Sequence, residues 1–138
     1  MRAERGRVAA VGWRGVVPVG AVVVLMLTTG CVWQQRTLAR ADIVGTWTGG
    51  DAGTLRFEDD GTVVATDLAE YDFDGDKVSG CSGTGEWSVH PDDGAAKRVS
   101  IDVCEGNPWE FGGSKDHPRM RRSVGDPDRG NFQTLGRE

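Results

Sequence analysis

Three cysteines and two histidines are the residues of this chain best suited to covalent or metal chemistry. Cys81, His90, Cys104 and His117 lack the short paired spacings that zinc ligands need. A disulfide between Cys81 and Cys104 is the competing reading. One cysteine precedes and the other follows a predicted hairpin, and a bridge closing about 24 residues stabilises by about 3.4 kcal/mol on the chain-entropy model. Asp72-Phe73-Asp74-Gly75-Asp76 begins like a calcium loop. That loop needs glycine at its sixth position and glutamate at its twelfth, where Lys77 and Gly83 stand. His90 and His117 each adjoin a proline without a nucleophile at motif spacing, and Ser82, Ser88 and Ser114 lack a nucleophile-elbow context. No catalytic set assembles, so the chain is read as a non-enzyme that uses no metal and no cofactor.

Cys31 is a different case, because of what precedes it. No charged side chain occurs from Gly15 to Gln35, and Val16 to Leu27 is almost wholly apolar. A basic head followed by such a run is an export signal. The stretch Leu27-Thr28-Thr29-Gly30-Cys31 resembles the lipobox of bacterial lipoproteins, with Thr28 where that family prefers Leu. The resemblance implies that the Cys31 sulfur accepts a diacylglyceryl group and that cleavage falls between Gly30 and Cys31. Two other readings stay open. The 21 uncharged residues are long enough to remain as a span across ~30 Å of hydrocarbon. Ala39-Arg40-Ala41 also offers an ordinary signal-peptidase site. All three place the residues after about 42 outside the cytoplasmic membrane.

Charge agrees with that division. Residues 1–31 hold four arginines against Glu4, a net +3, and the rest holds twelve basic against twenty acidic residues, a net −8. Binding to nucleic acid requires clustered Lys and Arg to neutralise phosphates, which excludes that class for an acidic body. Arg119, Arg121 and Arg122 form the only basic cluster there. It reads as the solvent face of a strand, with an anionic ligand or lipid headgroups as the alternative.

The elements that must position these residues are strands. Glycine reaches 21 of 138 residues, about twice the ordinary share of roughly 7 %, which excludes a helical bundle. Ile43–Thr48 opens, and Thr54–Glu58 and Thr62–Thr66 alternate around the turn Asp59-Asp60-Gly61, a strong hairpin signal. Gly85–Val89 and Arg98–Val103 flank Pro91-Asp92-Asp93-Gly94. Trp109–Phe111 follows, and Met120–Val124 and Asn131–Leu135 flank Gly125–Gly130. The stretch from Leu68 to Ser82 is polar and acidic and reads as a long loop around one short strand. About eight short strands at turn-limited spacing predict an all-β antiparallel meander, closed as a small barrel or sandwich and preceded by an apolar leader helix. The organisation is then a lipoprotein signal over 1–31, a polar tether over 32–41 and an extracytoplasmic β domain over 42–138. Leu55, Phe57, Val63, Trp87, Val89, Val99, Ile101, Val103, Trp109 and Phe111 are the expected inward residues.

Gly45-Thr46-Trp47 is similar to the G-x-W motif that opens lipocalin-type barrels, whose tryptophan closes one barrel end. With the Gly83-Thr84-Gly85-Glu86-Trp87 strand and the Gly125-Asp126-Pro127-Asp128 turn, residues 42–138 resemble small actinobacterial lipoproteins of the envelope. That resemblance implies structural roles for Gly45 and Trp47 and supplies no catalytic residue. Two functions are expected. One is a membrane-anchored module, held in the lipid bilayer through Cys31, that takes an apolar small ligand lined by Trp47, Trp87 and Trp109. The other is a domain that binds or inhibits an envelope protein through the Leu68–Ser82 segment.

Overall fold

The computed structural model describes residues 33–92 and 94–138. The leader with its expected helix, Gly30 and Cys31 lie outside the described residues. Eight strands follow in order: β1 (Gly45–Thr48), β2 (Thr54–Phe57), β3 (Thr62–Tyr71), β4 (Lys77–His90), β5 (Arg98–Ile101), β6 (Trp109–Gly113), β7 (Pro118–Ser123) and β8 (Phe132–Arg137). Each pairs antiparallel with the next, and β8 returns to β1 through Trp47↔Arg137 and Thr48↔Gly136. The result is a closed eight-stranded barrel of small lipocalin-like form, as the turn spacing predicts.

Alternation decides which side chains fill it, because successive residues of a strand point to opposite faces. Trp47, Leu55, Phe57, Val63, Trp87, Val99, Trp109, Phe111, Met120 and Leu135 all lie in one buried cluster. Aromatic contacts tie its walls together: Phe57 meets Trp87 edge-on at 5.4 Å between ring centroids, and Trp47 meets Phe111 at 6.2 Å. Ile101 and Val103, expected inside, are only partly buried. The strand ends at Ile101, and the chain then leaves the sheet and passes over β4.

The Leu68–Ser82 loop does not exist as such. Its residues extend β3 and β4 into one long hairpin, and only Asp72–Asp76 turns. A register shift between Ala65 and Leu68 explains why alternation fails there. Val63 and Ala65 point inward; after the irregularity, in which Asp67 takes a φ of 46°, Leu68 points inward instead. The Asp72 carboxylate accepts from the Asp76 N–H at 2.9 Å, so it braces its own turn.

The Cys81–Cys104 disulfide is present and joins this hairpin to the segment after β5. Glycines make the close passage possible. A Cβ on Gly85 would meet the Asp102 carboxylate and Val103, and Asp102 in turn accepts from the Glu86 N–H at 2.6 Å. The G-x-G-x-W stretch is therefore smooth where Asp102 and Val103 lie on it.

Residues 33–38, in the segment read as a tether, run along the barrel. The Arg36 N–H donates to the Phe111 carbonyl at 2.8 Å, and Leu38 and Ala96 exchange two backbone bonds. The Trp33 ring occupies the place a side chain on Gly112 would need.

Candidate binding site at the loop end of the barrel

A meander of eight strands sends alternate connections to opposite ends. One end carries the chain entry, where the short helix α1 (Arg40–Ile43) lies across the opening. Ile43 is fully buried, its carbonyl accepts from Trp47 Nε1 at 2.9 Å, and the Arg137 guanidinium bonds the carbonyls of Asp42 and Val44. Trp47 is fully buried beneath the Ile43 carbonyl at this end. Trp47, Trp87 and Trp109 are 0 %, 5 % and 0 % exposed, so all three are packing residues rather than the walls of an open cavity.

The opposite end is polar. Arg122 on β7 and Gln133 on β8 point inward and are 3 % and 2 % exposed. Arg122 Nε donates to Gln133 Oε1 at 2.8 Å, and its terminal nitrogens reach the carbonyls of Cys104, Glu105 and Ala69 at 3.3–3.5 Å. Gln133 Nε2 donates to the carbonyls of Ala52 and Ala69 at 2.8 and 3.2 Å. These carbonyls belong to β3 and to the connections after β1 and β5, so the pair laces the end together. Beneath it the guanidinium carbon stands 4.8 Å from the Trp109 ring centre, a cation–π contact. Trp109 keeps a buried indole N–H with no partner among the described residues.

Among the described residues no carboxylate lies within 4 Å of Arg122. Burial lowers its pKa from the ordinary arginine value, and the nearby Glu70 carboxylate opposes that shift. Arginine nevertheless stays protonated in proteins, so a charge is held here without an ionic partner. Above it opens a pocket of about 380 Å³, walled by Glu70, Tyr71, Glu105, Asn107 and Ser123. Glu70 already accepts from the Ser79 hydroxyl at 2.6 Å. The site presents one cation at its floor and two carboxylates at its rim.

The other residues singled out in the sequence lie elsewhere. Arg119 and Arg121 point outward on β7, so the expected basic cluster is split: its third member, Arg122, is buried and does not belong to a solvent face. The alternation Met120-Arg121-Arg122 carries that signal, since Met120 and Arg122 share a face. Ser82 and Ser114 each accept a backbone N–H, from Asp67 and His117, and serve local structure. His90, at the end of β4, and His117, in the β6–β7 connection, are both exposed and lie on different elements. The disulfide leaves Cys81 and Cys104 with no thiolate for a metal.

Fold and site together describe a small closed barrel with one hydrogen-bonded, charged mouth. Compared with protein-family models, curated proteins and solved structures, the chain matches none of them.

Proposed function

We propose that the chain is an extracytoplasmic lipoprotein, anchored through Cys31, whose barrel is a small-ligand-binding module with its site at the Arg122 mouth. The observation carrying this reading is the buried Arg122 guanidinium, which has no carboxylate within 4 Å among the described residues and belongs to the lining of a pocket of about 380 Å³. A buried charge is costly unless paired, and an incoming anionic group supplies the missing pair. Glu70 and Glu105 at the rim call for donors on the same molecule. The ligand class is therefore a small amphoteric molecule, an amino acid or short peptide, rather than the apolar ligand that the three tryptophans suggest. Its role is to bind and not to transform, since no nucleophile and base converge at the mouth.

Tryptophan fluorescence tests this, because Trp109 lies beneath Arg122. Saturable quenching by members of an amino-acid and dipeptide panel is expected, and Arg122→Met should weaken it about tenfold or more, the loss of a charged hydrogen bond. Glu105→Gln, an exposed change that spares the fold, should alter which ligands bind. A panel without any binder, or undiminished affinity in Arg122→Met, contradicts the site.

A second reading has its own observation. Phe73 and Val78 are 69 % and 61 % exposed at the tip of the β3–β4 hairpin. β5 pairs with β4 only from Trp87 to His90, and residues 102–104 cover β4 around Cys81–Glu86, so Lys77–Gly80 is laddered on one side, by β3. That short edge beside the exposed Phe73 and Val78 suits strand addition by an envelope protein. Deleting Phe73 and Val78 side chains by alanine substitution separates the two readings, since it abolishes capture of that protein and spares the Arg122 site.

A further inference from the structure

One wall of the barrel has a charge opposite to that of the chain as a whole. Two adjoining grooves on the outer face of β5–β7 share Arg121; Arg36, Arg98 and Arg119 line them, and the buried Arg122 borders the one that reaches the loop end. Against these five arginines the grooves hold one carboxylate, Glu110, already paired with Arg121 at 2.5 Å. The face is net positive on a chain of net charge −5.

Aromatic rings frame it. The Arg121 guanidinium carbon lies 4.3 Å from the Trp33 ring centre and 3.9 Å from that of Phe132. Stacking between two rings holds the side chain extended across the wall. Phe132 is 43 % exposed, a large apolar residue left beside a row of cations. Rings flanked by arginines are what settles at the level of lipid headgroups.

The chain itself points to what covers the face. Trp33 lies against Gly112 on this wall, and Cys31 is two residues upstream. Two peptide units reach about 7 Å at most, so a lipid anchor on Cys31 would tether the chain near this face. We infer that the Trp33–Arg36–Arg98–Arg119–Arg121 wall docks on the phosphate groups of anionic phospholipids, which fixes the orientation of the barrel on the membrane. The inference rests on the lipoprotein reading of Cys31. Guanidinium groups bind phosphate oxygens in pairs of parallel hydrogen bonds, and Arg98 and Arg119 are exposed and form no ion pair among the described residues. Repulsion of the acidic remainder by the same lipids acts in the same sense, favouring this wall over the rest of the surface.

Hydrogen exchange on the full-length protein reconstituted in vesicles tests the proposal. Vesicles of phosphatidylglycerol and phosphatidylcholine are compared with phosphatidylcholine alone, and the segments 33–38, 96–99 and 114–119 are followed. Slower exchange in these segments is expected only with phosphatidylglycerol. Each arginine near such a surface changes the attraction about fivefold, so Arg98→Glu with Arg119→Glu should abolish the difference. High salt should weaken it too. Unchanged exchange in the β3–β4 hairpin shows that the variant is folded. Equal exchange in both vesicles, or equal protection by inorganic phosphate on the phosphatidylcholine sample, overturns the proposal. Intact mass of the same samples reports acylation: an acylated protein without protection refutes the docking face alone, and an unacylated one with protection refutes the anchor alone.

Discussion

Arg122 and Gln133 face each other inside the barrel, Nε to Oε1 at 2.8 Å, and together span the connections at one end. Their neighbours are carbonyls whose other options are few. Truncating Arg122 leaves the Cys104 and Glu105 carbonyls and Gln133 Oε1 short of donors, at a cost of about 1–3 kcal/mol. Removing both partners leaves neither end of the Nε–Oε1 bond orphaned. A double-mutant cycle with Arg122→Met and Gln133→Leu, read by urea denaturation, should therefore show the pair costing clearly less than the sum of the singles. Strict additivity would mean that the two residues do not act as one plug.

The disulfide should matter more than any single surface contact. Replacing Cys81 and Cys104 by alanine frees a loop of about 24 residues and should lower stability by about 3 kcal/mol on the chain-entropy model. The loss should appear in urea unfolding of the oxidised protein against the double variant. A change within error would show that the bulge and the Gly85 crossing hold the hairpin unaided.

Gly85 is predicted to be intolerant of any side chain. A Cβ there would meet Asp102 Oδ1, which the Glu86 N–H holds in place, and the Val103 Cβ and backbone nitrogen, which cannot step aside. Gly85→Val should cost about 1–3 kcal/mol by overpacking, read as a lower melting temperature. Gly50→Ala is the reference, since nothing lies within 4 Å of a Cβ at that position. Its positive φ of 61° adds backbone strain but no clash. Equal shifts in the two variants would contradict the close passage at Gly85.

How much of this was legible beforehand follows from where period two is unbroken. β1, β2 and the first half of β3 read directly, because Leu55, Phe57 and Val63 alternate around Asp59-Asp60-Gly61. The second half of the long hairpin did not, for two reasons. The irregularity after Ala65 reverses the inward phase, and Lys77–Gly85 carries almost no apolar residue. Residue type places Arg122 in solvent, whereas its spacing of two from Met120 puts it on the inner face. The arginine wall joins residues 36, 98, 119 and 121 from three separate segments, a proximity that sequence spacing does not encode.

Asp60 supplies the pH prediction. Its carboxylate accepts from the Thr62 N–H at 2.9 Å in the first hairpin, and this bond holds its pKa below the ordinary aspartate value. A depressed carboxyl pKa contributes stability that is present above the unfolded-state value and lost as pH falls through the folded one. Carboxyl NMR should find Asp60 titrating at lower pH than an exposed aspartate, and Asp60→Ala should remove that acid-side dependence. Titration at the ordinary value would remove the bond from the account of this turn.

The anchor is tested by the intact mass of the protein extracted from the membrane of its native host. The expected species begins at Cys31, carries a diacylglyceryl group and is two hydrogens lighter than its reduced form because Cys81 and Cys104 are joined. Cys31→Ser should abolish the lipid and the cleavage together, since both depend on that sulfur. A mature amino terminus at Asp42, formed as efficiently by the Cys31→Ser protein as by the wild type, would contradict the lipoprotein reading.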